Sequence, residues 1–315
     1  MAIRITNGML VTNFLTDLNN SMNQYDKYYQ QVVTGKKVTR ISDDPVRLVT
    51  AMNSRKMVRS YTQYDENVST ARTWIDQTET SLRDVEEAIK SIYELTVQAA
   101  SDTNGDVERA AIGKTVKEFV DHIQQSLNAT INNKHIFSGY SGTKIPFERG
   151  ADGGMTYNGI NLNNAVITDQ NVVDEMSQNF ELELGVSIKM EVTFTGIEIT
   201  GVGDTNMFKI LDDLVTDLVN GEPNEVLDDY LTKLEELRAG VMEKVTTIGS
   251  RSKRLDMLES RYSQDIINYD ETRGRIEDAD EAEAIMKYSL AEAVYNKALA
   301  AGAQIIMPTL LDYVK

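Results

Sequence analysis

Apolar positions recur with helical spacing at both ends of this chain. At the start, Val11, Leu15, Leu18, Met22, Tyr25, Tyr29 and Val32 alternate steps of four and three, which places them on one face of a helix that needs a partner helix. At the far end Met286, Leu290, Val294, Ala298, Ala301 and Ile305 form one stripe, and Ala291, Tyr295, Leu299, Gly302, Ile306 and Leu310 form an adjacent one. Together they make an apolar face too broad for a two-helix seam, so this helix is expected to touch more than one neighbour. Pro308 then stops it.

Between the ends the pattern changes twice. Thr34-Gly35-Lys36-Lys37 breaks the first helix, and Ser42-Asp43-Asp44-Pro45 reads as a helix start, with acids on the cap side and proline in the first turn. A second helix is predicted to about residue 72. Ile75, Thr78, Leu82, Val85, Ile89, Ile92, Thr96 and Ala99 mark the clearest helix, roughly 37 Å long. A turn at 102–106 leads to a further helix carrying Ile112, Val116, Phe119, Ile123, Leu127 and Ile131. Residues 139–203 hold ten of the 19 glycines, and there the period falls to two. Asn158-Gly159 between Met155-Thr156-Tyr157 and Ile160-Asn161-Leu162 predicts a two-residue hairpin. Two half-wet strands are predicted around Phe180, Leu182, Leu184 and Ile188, Met190, Val192, Phe194. Helical spacing returns at Phe208, Leu211, Val215 and Leu218, restarts after Pro223, and runs almost to the acidic stretch 277–283.

The predicted fold is mainly α with a β insert: a long antiparallel helical bundle or coiled coil formed by both ends of the chain, plus a small β-rich tip. Residues 1–41 and 281–315 are expected to form a terminal coiled-coil core, 42–138 and 204–280 a helical bundle, and 139–203 a β-rich outer domain. Hinges are expected at 34–44 and 274–283, where the stripes break.

Composition narrows the chemistry. The 315 residues include 41% hydrophobic ones, and no apolar run approaches the ~20 residues of a membrane span, so a soluble chain with no membrane partner is expected. With 49 acids against 32 bases the net charge is −17, which argues against a nucleic-acid partner. Cysteine is absent, excluding disulfides, thiolate metal sites and thiol nucleophiles. No charged-then-apolar leader opens the chain, so export, if any, is expected to use another machine.

No constellation of catalytic, cofactor or metal-binding residues emerges. His122 reads as a helix-surface residue and His135 as lying near a helix end, without the second helix-spaced histidine that a zinc site needs. The run Glu277 to Glu283 lacks the spacing of a calcium loop and reads as a solvated helix start whose carboxylates suit the dipole. Asp212-Asp213 and Asp228-Asp229 are adjacent pairs that point about 100° apart on a helix and do not converge. Gly201-Val202-Gly203 lacks the rest of a phosphate loop. Tyr25, Tyr28 and Tyr29 read as helix packing rather than a base-stacking platform in so acidic a chain. On pattern alone the stripes suit a self-contained bundle as well as a polymer.

A set of short motifs, in order along the chain, resembles the bacterial flagellin superfamily and, within it, the hook-associated protein 3 branch. They are Arg4-Ile5-Thr6-Asn7-Gly8-Met9, Thr34-Gly35-Lys36-Lys37-Val38, Ser42-Asp43-Asp44-Pro45, Trp74-Ile75-Asp76, Glu94 to Ala100, Asn133 to Gly139, Ile248-Gly249-Ser250-Arg251, Ile276 to Asp280, and Pro308-Thr309-Leu310-Leu311-Asp312-Tyr313-Val314. The insert shares no specific motif.

The resemblance implies a non-enzymatic structural protein of the flagellum at the junction of hook and filament, without cofactors. It implies export through the flagellar type III channel and end segments that fold together only on assembly. The implied partners are copies of the chain itself in a ring layer, the first hook-associated protein on the hook side, flagellin on the filament side, and an export chaperone. The two end stripes then become the assembly surface, while Gly35, Arg40, Ser42, Asp43, Asp44 and Pro45 become a family motif and hinge. Arg40, Asp43 and Arg47 suit either contact with neighbours or stabilisation of their own turn. The alternatives are filament flagellin, or an intracellular coiled-coil adaptor that dimerises through its end helices.

Overall fold

A computed structural model of the chain describes residues 7–38, 40, 44–101, 105–150, 153–220 and 224–305. The chain divides into two compact units, one of residues 1–61 and 264–315 and the other of 62–263. Helices dominate: α1 (Asn7–Thr34), α2 (Pro45–Ala99), α3 (Asp106–Leu127), α4 (Gln170–Met176), α5 (Gly196–Thr200), α6 (Met207–Asn220), α7 (Asn224–Glu277) and α8 (Glu281–Ile305). The strands are short: β1 (Thr130–Ile131), β2 (Lys134–His135), β3 (Phe147–Arg149), β4 (Met155–Tyr157), β5 (Ile160–Asn161), β6 (Glu181–Gly185) and β7 (Ile188–Glu191).

The first unit is built on α1 and α8. Its connections at Gly35 and at Asp278 to Asp280 are tied by an antiparallel bridge between Lys36 and Asp278. In the second unit the helical core is lined by Ile75, Leu82, Ile89, Ile92, Val116, Ile123 and Leu127, all buried and all in the predicted stripes. Leu234, Val241, Ile248 and Leu255 of α7 are buried in the same unit. Arg72 reaches Asp256 and Glu259, both at 2.6 Å, and Arg238 reaches Glu86 at 2.6 Å. These pairs clasp α2 to α7.

The two helices predicted on either side of residue 72 are one helix of 55 residues. Nothing between Arg72 and Ile75 breaks the backbone ladder, so the stripe shift rotates the buried face without ending the helix. Likewise α7 runs through Gly240, Gly249 and Gly274 to Glu277, so the helix break expected from 274 comes only after Glu277.

Among the described residues the insert holds two small antiparallel sheets, β3-β4-β5 and β6-β7, and the β1-β2 pair precedes it. Asn158 and Gly159 have φ of 49° and 92°, the doubly left-handed turn that the Asn-Gly pair favours. Tyr157 is fully buried, donates a hydrogen bond to the Phe137 carbonyl at 2.8 Å, and packs on Phe147. Burial raises its phenol pKa far above the ordinary value. The insert is not wholly β, since α4 and α5 interrupt it. His135 lies in β2 and, as expected, near a helix end, its Nδ1 2.9 Å from the carbonyl of Asn128, the residue that caps α3.

Candidate assembly surface

The expected end-to-end pairing is present in the first unit, and the stripe on α1 divides into two rows. Val11, Phe14, Leu18, Ser21, Tyr25, Tyr28 and Val32 are partly covered, at steps of three and four. Facing them on α8 are Ala284, Tyr288, Ala291, Tyr295, Ala298 and Gly302. Tyr25 meets Tyr288 with ring centroids 5.4 Å apart and Tyr295 at 5.9 Å, while Phe14 lies against Gly302. The start of α1 thus meets the end of α8, and the helices are antiparallel. The Tyr25 and Tyr288 hydroxyls are 3.2 Å apart; this bond pushes the Tyr288 pKa up to about 12.

The rest of the stripe is open to solvent. Leu15, Met22 and Tyr29 on α1, seven residues apart, are exposed, as are Met286, Leu290 and Val294 on α8. Leu290 is 66% and Met286 64% exposed. Ala301 is exposed as well. Ile305 ends α8, its side chain outside the described atoms. Leu310, Ser42 and Asp43 lie outside the described residues. Sequence spacing identified the two apolar faces but missed Phe14, which lies three residues after Val11 and four before Leu18 in the covered row, a spacing that was the available signal.

The turns are held by backbone and charge. Gly35 has φ of +67°, a conformation glycine adopts without strain. The Lys37 N–H donates to the Glu277 carbonyl at 2.6 Å, and the Ala279 N–H to the Gly35 carbonyl at 2.9 Å. The Glu277 side chain, expected in a solvated run, is 2% exposed; its Oε2 accepts from Arg55 at 2.5 Å and lies 3.7 Å from Lys36 Nζ. That hydrogen bond raises the Arg55 pKa. Burial follows because this last turn of α7 is where the two connections cross. Glu281 and Glu283 do occupy the first turn of α8, where the Glu283 N–H donates to Asp280 Oδ1 at 3.1 Å.

Within the motif, Pro45 begins α2, and Asp44 caps it by accepting from the Arg47 N–H at 3.0 Å. Arg40 pairs with Asp26 of α1 at 3.5 Å and Arg47 with Asp44 of its own turn at 3.2 Å. A cleft of about 390 Å³ beside this turn mixes Lys27, Lys37 and Arg47 with Asp44, Asp280 and Glu283. No group of three possible metal ligands occurs among the described residues. Asp212 is engaged by Arg149, and Asp229 by Lys233. No described helix is long and apolar enough to cross a membrane.

Residues 5–142 match the bacterial flagellin N-terminal helical region. Over that stretch this chain is similar to bacterial flagellins. The match covers α1 to α3 and ends at the glycine-rich insert. Flagellar hook-associated protein 3 of Salmonella typhimurium is 28% identical over 152 residues, 48% of each chain. The chain therefore spans about half the length of that curated relative. Flagellar filament core protein flaB2 of Brachyspira hyodysenteriae is 24% identical over 246 residues, 74% of this chain and 81% of that one. In fold, this chain is similar to the flagellar junction protein FlgL from Legionella pneumophila. The TM-score is 0.59 at 10% identity, covering 73% of this chain and all of that one.

Proposed function

We propose that this chain is a structural, non-enzymatic protein of the bacterial flagellum, outside the cell, forming the layer that joins hook to filament. The observation that carries the reading is the helical pair α1 and α8, whose large apolar side chains remain exposed on both helices. Such a pair is marginal alone and gains stability when neighbouring copies bury the remaining rows. Copies meeting through two different surfaces can stack around an axis. In this reading residues 1–41 and 281–315 carry stacking and 139–203 face outward. The partners are the first hook-associated protein below, flagellin above, and a chaperone during export. The likeness to hook-associated protein 3 and to a junction protein supports the position.

A second reading, filament flagellin, is favoured by the broader match to a filament core protein. Deleting the gene in its host separates the two. Hooks without filaments, with flagellin shed into the medium, are expected. Hooks with no flagellin in the medium would make the chain the filament subunit, and normal flagella would overturn both readings.

A further inference from the structure

The second unit carries an acidic groove and a basic knob that fit one another but cannot meet within one chain. A groove of about 570 Å³ runs between α2 and α3; its floor is Ala88 and Phe119, and Asp84, Glu87, Glu118 and His122 line it. Among the described residues the three carboxylates form no ion pair, and Lys90, Lys114 and Lys117 pair with none of them. Arg83, next to Asp84, is engaged by Glu79. On α7, Met257 is 66% exposed, with Lys253 and Arg254 four and three positions before it on the same helix face. Both cations are exposed and make no ion pair among the described residues. The acids closest to the knob, Asp256 and Glu259, are already held by Arg72.

Arg72 is level with Asp256 on the bundle, whereas Glu86 is level with Arg238. Those 14 residues of α2 correspond to roughly 21 Å along the axis, so a chain cannot seat its own knob in its own groove. We propose that the occupant is a second copy of this chain: Met257 of one copy packs on Ala88 and Phe119 of the next. Lys253 and Arg254 then neutralise Glu87 and Glu118. The contact is heterologous and staggers neighbours along the bundle axis by about that distance. It rests on the reading of the chain as a flagellar layer protein and adds the surface through which copies meet outside the end helices.

The absence of cysteine makes the test clean. The full chain carrying Ser91→Cys and Met257→Cys replaces the native one in its host, and isolated flagella are treated with a short bifunctional maleimide. A ladder of multiples of the chain is expected, reduced at least tenfold by Lys253→Glu with Arg254→Glu and restored when Glu87→Lys and Glu118→Lys are added. A control chain carries Met22→Cys and Leu290→Cys in the exposed end rows. Ladders from the control alone would overturn the groove contact and leave the flagellar reading intact. A chain missing from flagella would overturn both.

Discussion

Gly302 on α8 faces the ring of Phe14 on α1 so closely that a Cβ at position 302 would lie 2.1 Å from Phe14 Cζ. Two helices can approach this far only where one offers no side chain. The substitution Gly302→Ala improves helix propensity by about 1 kcal/mol but overpacks the seam by about 1–3 kcal/mol, so net destabilisation is expected. Amide exchange in α1 and α8 should accelerate, and Phe14→Leu in the same chain should recover part of the loss. Unchanged exchange in Gly302→Ala would mean the helices separate freely.

The tyrosines give the same pair a pH limit. The Tyr288 phenol is held above its ordinary value of 10, up to about 12, chiefly by its bond to Tyr25. The folded state therefore retains a proton that the unfolded chain loses. The corresponding stability is fully present below pH 10 and declines as pH rises to about 12. Alkaline titration should show α1 and α8 losing helicity in that window, with Tyr25→Phe lowering the pH at which Tyr288 ionises. Ionisation of Tyr288 at its ordinary pKa in the intact chain would refute the bond.

At the turn between these helices and the rest of the first unit, Glu277 is the buried anchor. Glu277→Gln keeps its shape but removes the charge that faces Arg55 at 2.5 Å. A charge-assisted bond contributes about 1.5–3 kcal/mol; because the Arg55 side chain is 37% exposed, roughly 1–2 kcal/mol is the expected loss. Exchange at the Lys37 and Ala279 amides, which bond across the turn, reads it locally. Equal protection in the variant would show that backbone pairing alone holds the turn.

Sequence periodicity made the helices legible because their buried rows repeat every three to four residues for many turns. The Asn158-Gly159 turn was legible because only a few residue types accept two successive left-handed conformations. The joins at residue 72 and at Gly274 were not, since a shift of stripe looks the same whether a helix ends or merely turns its face. Glu277 was misread for a different reason. Its partner Arg55 is 222 positions away, and no local pattern announces a carboxylate buried by a remote cation. The exposed half of the α1 stripe was also beyond reach, because spacing says which residues share a face but not how much of it one neighbour covers.

The chain's single tryptophan, Trp74 on α2, lies 5.0 Å from the Phe180 ring at the head of β6, which makes it a reporter for the insert. Phe180→Ala removes the ring contact and part of its burial, about 1–2 kcal/mol for a half-buried pair. Tryptophan emission should shift to the red while helicity is unchanged. A simultaneous loss of helicity would mean the insert is required for the helical core of its unit, and not only seated on it.

The exposed rows make the sharpest contrast with Gly302. Met286 and Leu290 contribute little to the isolated chain, being mostly solvated, so Met286→Glu and Leu290→Glu should change its stability by no more than about 0.5 kcal/mol. In a stacked layer the same positions would bury two carboxylates against apolar neighbours, at several kcal/mol unless they are neutralised. The expected phenotype is a chain that melts normally, is exported, and does not enter the flagellum. Gly302→Ala should instead weaken the monomer first. If the glutamate variants assemble as well as the native chain, the exposed rows are not the stacking surface; if they melt early, those side chains are packed within the monomer after all.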